Sequence, residues 1–554
     1  MTKRLFVYTI LGLLVLSACK KNFLDRQPSD SLSNSSLFTD SSDVIAALNG
    51  CYSGWNNPIS GLQGWADGYN VIYLDGASDN VYSQYPWEGF QAYGNGSATP
   101  GGVSPNGNSD NLYNYVTIQK CNWFLANVTK APIDNALLLR TQGEARFIRA
   151  YQYFMMAQLY GGVPLVTESL TPAQADAAQR TSKDSITQYV LSELAAIAPN
   201  LPQSYSGGAG SETGRITKGA ALALKARIEL YTADYANCIA DCQQVMQLGY
   251  SLFLSYQDLF RMANAHNSEV ILDVEYIGNT STANTNWAVG VMPSFSYGGW
   301  SSLDPLQSLV DAYETTGGKT IDDPTSGYDA AHPFANRDPR LAASIVYPGE
   351  SYPYADGTPN YYDPLDASSN DFYQSGNNTS VTGYLEKKFT AVLSDYNADN
   401  GIFSTGLSMI LIRYAEVLLM DAEAKIESGQ IDASVYADIN AVRNRVGMPS
   451  VDETVYDNQT TLRTLVRRER RVELALEGLR WFDIQRWQIG TQVMAGPVVG
   501  ARLGTVDAST GNVTLTGSNI PVETRLFDAS KNYLWPIPQS EININKTLKQ
   551  NPGY

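Results

Sequence analysis

The sequence predicts a mainly α-helical protein: a scaffold of helix–turn–helix units with long irregular, loop-rich insertions and a few short strands. Three observations predict it. Residues 219–249 read as two helices joined by a tight turn. The same pattern returns further along, with Ala226, Ile228, Glu229, Asp234 and Gly249 matching Ala424, Ile426, Glu427, Asp432 and Gly447 at identical offsets. Between and before these units, residues 55–110 and 250–405 are dense in Gly, Asn, Asp, Pro and Tyr and carry little helical period.

The first helix of the 219–249 unit is rich in small residues, Gly219, Ala220, Ala221, Ala223 and Ala226, which admit a second helix at close range. Thr232, Ala233 and Asp234 form the turn, with Asp234 placed to N-cap the next helix. Ile239, Cys242, Val245 and Met246 then make one apolar stripe, and Gly249 supplies a permissive stop. A repeated pair of this kind resembles a tetratricopeptide unit, which must stack on others to bury its apolar face.

The remaining elements follow in order. A helix is expected at about 42–54, then helices at about 111–129, 136–160 and 183–198, the second ending at Gly161, Gly162 and Pro164. Residues 269–276 alternate enough for a strand. Helices return at about 407–428, 432–446 and 459–478, and the tail, 490–554, carries short strand-like pieces.

The chain has 554 residues, 44% hydrophobic and 17% charged, enough to bury a large core. Its formal net charge of −17 argues against nucleic acid or an anionic membrane surface as the main partner. Lys3 and Arg4 precede an apolar run, Leu5 to Leu16, too short to span a membrane and laid out like a secretory signal. Leu16-Ser17-Ala18-Cys19 resembles a bacterial lipobox, which would leave Cys19 lipidated at the mature N-terminus. Cleavage there removes Lys3 and Arg4 and no acid, taking the charge from −17 to −19. The organisation read from these signals is a signal peptide over 1–18, a lipidated tether over 19–43 and one domain over 44–554. Within that domain the scaffold covers about 44–54, 111–249 and 407–489, and the ligand-binding loop regions about 55–110 and 250–405.

Three windows, 65–93, 276–300 and 347–373, concentrate aromatic residues in loops. A sugar presents an apolar C–H face and hydroxyl edges, so an aromatic ring covers the face while polar groups bond the edges. Trp87 and Trp300 are the expected stacking residues, Tyr85 and Tyr297 the extension of their platform, and Asp67 and Glu350 the hydroxyl-bonding carboxylates. Most other loop tyrosines are expected to pack the loops down. Catalytic signatures are sparse. His266 and His332 stand in no ligand spacing, and there is no GxSxG, Walker or GxGxxG motif. Asp395, Asn397 and Asp399 alternate like the start of a calcium loop, but Asn400 replaces the turn glycine and Gly406 the closing glutamate. The segment reads as a polar loop, with a structural calcium the one cofactor left open. Cys238 and Cys242, four apart on one expected helix, read as packed thiols, and Cys51, Cys121, Cys238 and Cys242 show no disulfide framework.

The most specific stretch is ERRVELALEGLRWFDIQRW, residues 469–487. It reads as a helix laced by i,i+3 and i,i+4 ion pairs that stops near Gly478. It also resembles the signature of the SusD/RagB family of outer-membrane nutrient-binding lipoproteins. CKKNFLD at the mature start, EARFIRAYQYFMMAQLYGGVPLV in the first third and the ending NYLWPIPQSEININKTLKQNPGY agree with it. The resemblance implies a tetratricopeptide-like fold and a cell-surface lipoprotein seated on a SusC-like TonB-dependent transporter. It implies capture of oligosaccharide, in some members peptide, without catalysis. These are scaffold motifs, so they name neither the ligand nor the residues that bind it.

Overall fold

The longer helices begin where a side chain can take the backbone N–H groups that a first turn leaves unpaired. In the computed structural model, Asp40 caps α1 (Ser41–Tyr52), Asn114 caps α2 (Tyr115–Asn127) and Asp134 caps α3 (Asn135–Tyr160). Ser182 caps α4 (Lys183–Ile197) and Thr217 caps α5 (Lys218–Tyr231). The structure describes residues 38–53, 68–102, 112–205, 212–278, 286–390, 392–395, 403 and 405–554. The signal segment, Cys19, the tether up to residue 37, Asp67, and Asn397, Asp399 and Asn400 lie outside them.

α5 and α6 (Tyr235–Met246) form the expected hairpin. Gly219 is required there, because a Cβ would meet the Tyr250 hydroxyl at 2.4 Å. Asp234 stands at the N-cap of α6, but its carboxylate accepts from the Asn237 side chain at 2.8 Å and bonds no backbone N–H of the helix. The turn passes through Ala233 at φ +59°, and Asp234 sits at ψ 67°, away from the extended geometry that capping uses. In the second copy, α7 (Tyr414–Glu427) and α8 (Ala433–Arg445), Asp432 does cap, accepting from Ser434 N. The two copies pack directly, α6 against α7, although one long insertion separates them in sequence. α9 (Gln459–Glu473) then closes over α7, with Ala415, Leu419, Ile426, Ile439 and Leu465 in a shared apolar cluster.

Three further expectations change. Residues 409–413, read as helix, are strand β6 (Met409–Arg413), paired antiparallel with β2 (Val270–Val274). All five residues are buried, and a short unbroken apolar run carries no period to separate strand from helix. The charged stretch is also not one helix to Gly478. α9 ends at Glu473, and α10 (Arg480–Trp487) starts after a turn with Leu476 at φ +67° and Gly478 at φ +75°. A Cβ at Gly478 would meet Val71 O at 2.1 Å. β4 (Ile345–Val346) pairs antiparallel with β5 (Leu385–Glu386), and β7 (Gly496–Val506) and β8 (Val513–Arg525) form a hairpin longer than the short pieces expected of the tail.

The break after α9 serves the charges. Among its ion pairs with described residues, Asp483–Arg486 follows helical spacing and Arg470–Asp483 joins α9 to α10 within the stretch; the others reach across the fold. Glu473 pairs with Arg340 at 3.0 Å, Arg413 at 2.6 Å and Arg445. Glu477 pairs with Arg413 at 2.8 Å and Lys388 at 2.6 Å, and Glu469 with Arg340 at 2.5 Å and Arg443 at 2.9 Å. All of these groups are buried or nearly so. Burial alone would raise Glu473, but Arg445, Arg413 and Arg340 hold its carboxyl well below the usual range.

Removing one partner from such a network strands the others without water. Arg413→Met should therefore cost about 3–5 kcal/mol of stability, read as a lower urea midpoint, with helix content retained at low denaturant.

Candidate ligand-binding site

A three-residue ribbon brings two of the aromatic windows together. β1 (Val81–Ser83) pairs antiparallel with β3 (Leu303–Pro305), Val81 opposite Pro305 and Ser83 opposite Leu303. Gln84 N continues the ladder to Ser302 O at 3.0 Å. Just beyond β1, a 3₁₀ turn at Pro86–Glu88 closes on Gly89 at φ +88° and holds Trp87 half-buried while Glu88 is sealed inside. Just before β3, Gly298 and Gly299 fold the chain back on itself, with Trp300 N donating to Val291 O at 3.1 Å and Ser301 N to Pro293 O at 2.8 Å. A Cβ at Gly299 would meet Pro293 O at 2.1 Å, so this fold-back needs glycine.

The result is an aromatic arc. Tyr85 and Trp87 have ring centroids 5.9 Å apart; Trp87 and Trp300 are 6.0 Å apart at 68°; Trp300 and Phe403 are 5.7 Å apart. The four rings are half-buried, so each keeps part of its surface open. The Tyr85 hydroxyl lies 2.8 Å from Trp300 O and 2.7 Å from Asn378 Oδ1, tying the arc to the third loop region. Asn378 sits at φ +56°, a conformation asparagine tolerates, and its carbonyl accepts from Phe295 N at 3.0 Å. Phe295 is 61% exposed beside the arc.

Tyr297, expected to extend the platform, and Glu350, expected to bond hydroxyls, lie elsewhere. Tyr297 is 3% exposed; its ring packs on Tyr352 and Tyr354, and its hydroxyl accepts from the Asn360 side chain at 2.6 Å. It belongs to the core of the loop region because Gly298 turns the chain between it and Trp300. Glu350 is 9% exposed and ion-paired with Lys387, so its oxygens are not offered to a ligand. Burial pushes its carboxyl up to about 7 against the pull of Lys387. Sequence reading did not select Phe403 or Asn378. Phe403 stands in the polar loop considered for calcium, and Asn378 carries no signal beyond its place in a Gly-Asn-Asn turn. In that polar loop, the Asp395 carboxylate is taken by Arg261 at 2.8 and 2.9 Å. No group of three or more His, Cys, Asp or Glu is placed to hold a metal ion among the described residues.

Two carboxyls lie beneath the arc. Glu88 accepts from the Tyr73 hydroxyl at 2.8 Å and Asp304 from the Ser301 hydroxyl at 2.6 Å; both are fully buried. Burial pushes each up to about 8. Neither carboxyl forms an ion pair among the described residues, so burial favours the protonated form of both.

Residues 268–554 match the family model described as the SusD family, and residues 22–230 match one described as "Starch-binding associating with outer membrane". This chain belongs to the SusD family. It is 27% identical to SusD-like protein P25 of Formosa agariphila over 514 residues, which covers 88% of this chain and 90% of that protein. A crystal structure of a SusD-like protein from Bacteroides fragilis superposes with a TM-score of 0.78 at 29% identity, covering 96% of this chain and all of that one. A SusD-like carbohydrate binding protein from the same species superposes at 0.76 with 30% identity, covering 92% and 99%.

The raised Glu88 carboxyl has a testable sign. The unfolded chain releases this proton near pH 4.5 and the folded one near 8, so its contribution to stability is fully present below about pH 4.5 and is lost as pH rises through about 8. Glu88→Gln should flatten the decline of melting temperature between pH 5 and 8 relative to the parent protein.

Proposed function

We propose that this protein is a cell-surface lipoprotein, anchored in the outer membrane through Cys19, that binds oligo- or polysaccharide. It would deliver that glycan to a SusC-like TonB-dependent transporter without cleaving it. The observation that carries the reading is the arc of Tyr85, Trp87, Trp300 and Phe403, built from three separate loops and left half-open. Two indoles 6.0 Å apart at 68° offer differently inclined faces, which suits a chain of sugars that turns from one residue to the next. Asn378 supplies an amide at the arc's edge, and Asp67 keeps its proposed role as a hydroxyl-bonding carboxylate. The family description that names starch binding and the outer membrane, and the Bacteroides fragilis relative named as carbohydrate binding, support the same ligand class.

A binding role without catalysis fits the acids beneath the arc. Glycoside hydrolysis uses two carboxyl groups that reach the scissile bond. Glu88, Asp304 and Asp371 are at most 3% exposed and hydrogen-bonded inward, Asp371 to the hydroxyls of Ser294 and Ser296.

Affinity gel electrophoresis against starch-like glucans, fructans, host glycans and plant-wall polymers, with a reducing-end assay on the same mixtures, tests the proposal. Retardation by one polymer without new reducing ends supports it. New reducing ends overturn the non-catalytic reading, and a blank panel alongside retention of peptides overturns the glycan reading.

On the retarding polymer, Trp87→Ala and Trp300→Ala should each weaken binding about tenfold. Tyr297→Ala should lower the melting temperature instead, and Glu350→Gln should leave affinity unchanged. Unchanged binding by the Trp87→Ala/Trp300→Ala double variant would remove the arc from the site.

A further inference from the structure

A separate cleft of about 250 Å³ opens on another part of the molecule, where α2, the segment 164–178 and the C-terminal helix α11 (Gln539–Ile544) meet. One wall is aromatic, with Tyr113 and Tyr115 at 5.5 Å between centroids, Tyr113 being braced edge-on by Tyr160 at 5.2 Å. Ile118, Val166, Leu170 and Leu548 supply apolar surface. Two polar groups there are unspent. Tyr113 is only 7% exposed; its hydroxyl lies near the Tyr115 hydroxyl but makes no hydrogen bond of ordinary geometry among the described residues. The neighbouring Tyr115 hydroxyl donates to Pro164 O at 2.7 Å. Glu541 lines the same cleft, and no ion pair or side-chain hydrogen bond engages its carboxylate among the described residues.

The charged residues that line the cleft have one sign. Glu168, Asp176 and Glu541 line it, and no Lys or Arg does. Burial raises the Glu541 carboxyl. Burial raises the phenols of Tyr113 and Tyr115, and the Glu541 charge adds to it. The cation that acts on those rings, Arg180, is committed elsewhere, donating to Tyr160 O, Gly162 O, Lys549 O and the Asn551 side chain at 2.5–2.9 Å.

We propose that this cleft is a second ligand site, taking a primary ammonium group carried on an apolar body of about one ring. The ammonium would lie against the Tyr113 and Tyr115 rings, pair with Glu541 and donate a hydrogen bond to the Tyr113 hydroxyl. The apolar body would cover Val166, Leu170 and Leu548. A free aryl amine and the lysine side chain of a peptide both present this chemistry.

Isothermal titration of the full folded chain with phenethylamine, 2-phenylethanol and phenylacetate tests it, since the three share a ring and differ in charge. The amine should bind, the alcohol about tenfold more weakly or worse, and phenylacetate not at all. Glu541→Gln should cost the amine about tenfold and Tyr113→Phe a few-fold, with melting temperatures close to the parent. The amine's affinity should also fall with added salt, a readout that needs no variant. A lysyl tripeptide with apolar neighbours, titrated in parallel, separates the sources: tighter binding than phenethylamine assigns a peptide, weaker binding a free amine. Equal affinity for amine and alcohol, an unaffected Glu541→Gln variant, or no heat from any amine overturns the proposal.

Discussion

Glu473 sits at the centre of the molecule with Arg340, Arg413 and Arg445 around it and almost no water within reach. Each of those arginines comes from a different part of the chain: the second insertion, strand β6 and helix α8. A carboxylate in that position is tolerable only when its cations arrive, and the cations only when Glu269, which pairs with Arg413 at 2.7 Å and Arg445 at 2.9 Å, arrives with Glu469 and Glu477. The network therefore works as a register. It excludes any arrangement in which the insertion, the central strand pair and the second repeat are displaced, because each displacement leaves a buried charge alone.

That register reaches the ligand side of the molecule by a short path. Arg471 and Arg480, from the same charged stretch, hold Asp79 at 3.0 and 2.7 Å and keep its carboxyl down to about 2 against the effect of burial. Asp79 leads directly into β1, β1 pairs with β3, and the two strands carry Trp87 and Trp300 into contact. From the tail hairpin, Arg525 donates to Ser78 O at 2.6 Å and Val81 O at 3.0 Å, pinning the same strand from the other side. The loops that form the arc are irregular in backbone but fixed at their base by charge-assisted bonds. This is how a rigid aromatic surface is presented without regular secondary structure beneath it.

The legible part of the fold was the part with local causes. Helical periodicity, capping residues and the shared offsets between Ala226–Gly249 and Ala424–Gly447 identified the helical pairs, and the structure stacks those pairs directly. Strand β6 was missed because its four apolar residues, Met409 to Ile412, are all buried and have no period to read. The charged motif was recognised, but its pairs were assigned to helical neighbours. Alternating Glu and Arg on a helix look the same whether their partners are four residues away or on another element. Of the proposed platform, Tyr85, Trp87 and Trp300 meet, while Tyr297 and Glu350 turn inward. Tyr297 and Trp300 are three residues apart in one loop, and only the turn at Gly298 sends one ring to the core and the other to the surface.

By itself the sequence determined the helical scaffold, its repeat and the family, because those depend on patterns that each segment carries within itself: periodicity, caps, glycine stops and a dense signature. Only the tertiary structure decided which loop aromatics share a surface, which acids are buried, and where the charged motif finds its partners. Those properties depend on pairs of residues far apart in the chain, and burial and distance between such pairs are set by the whole fold rather than by any stretch of it.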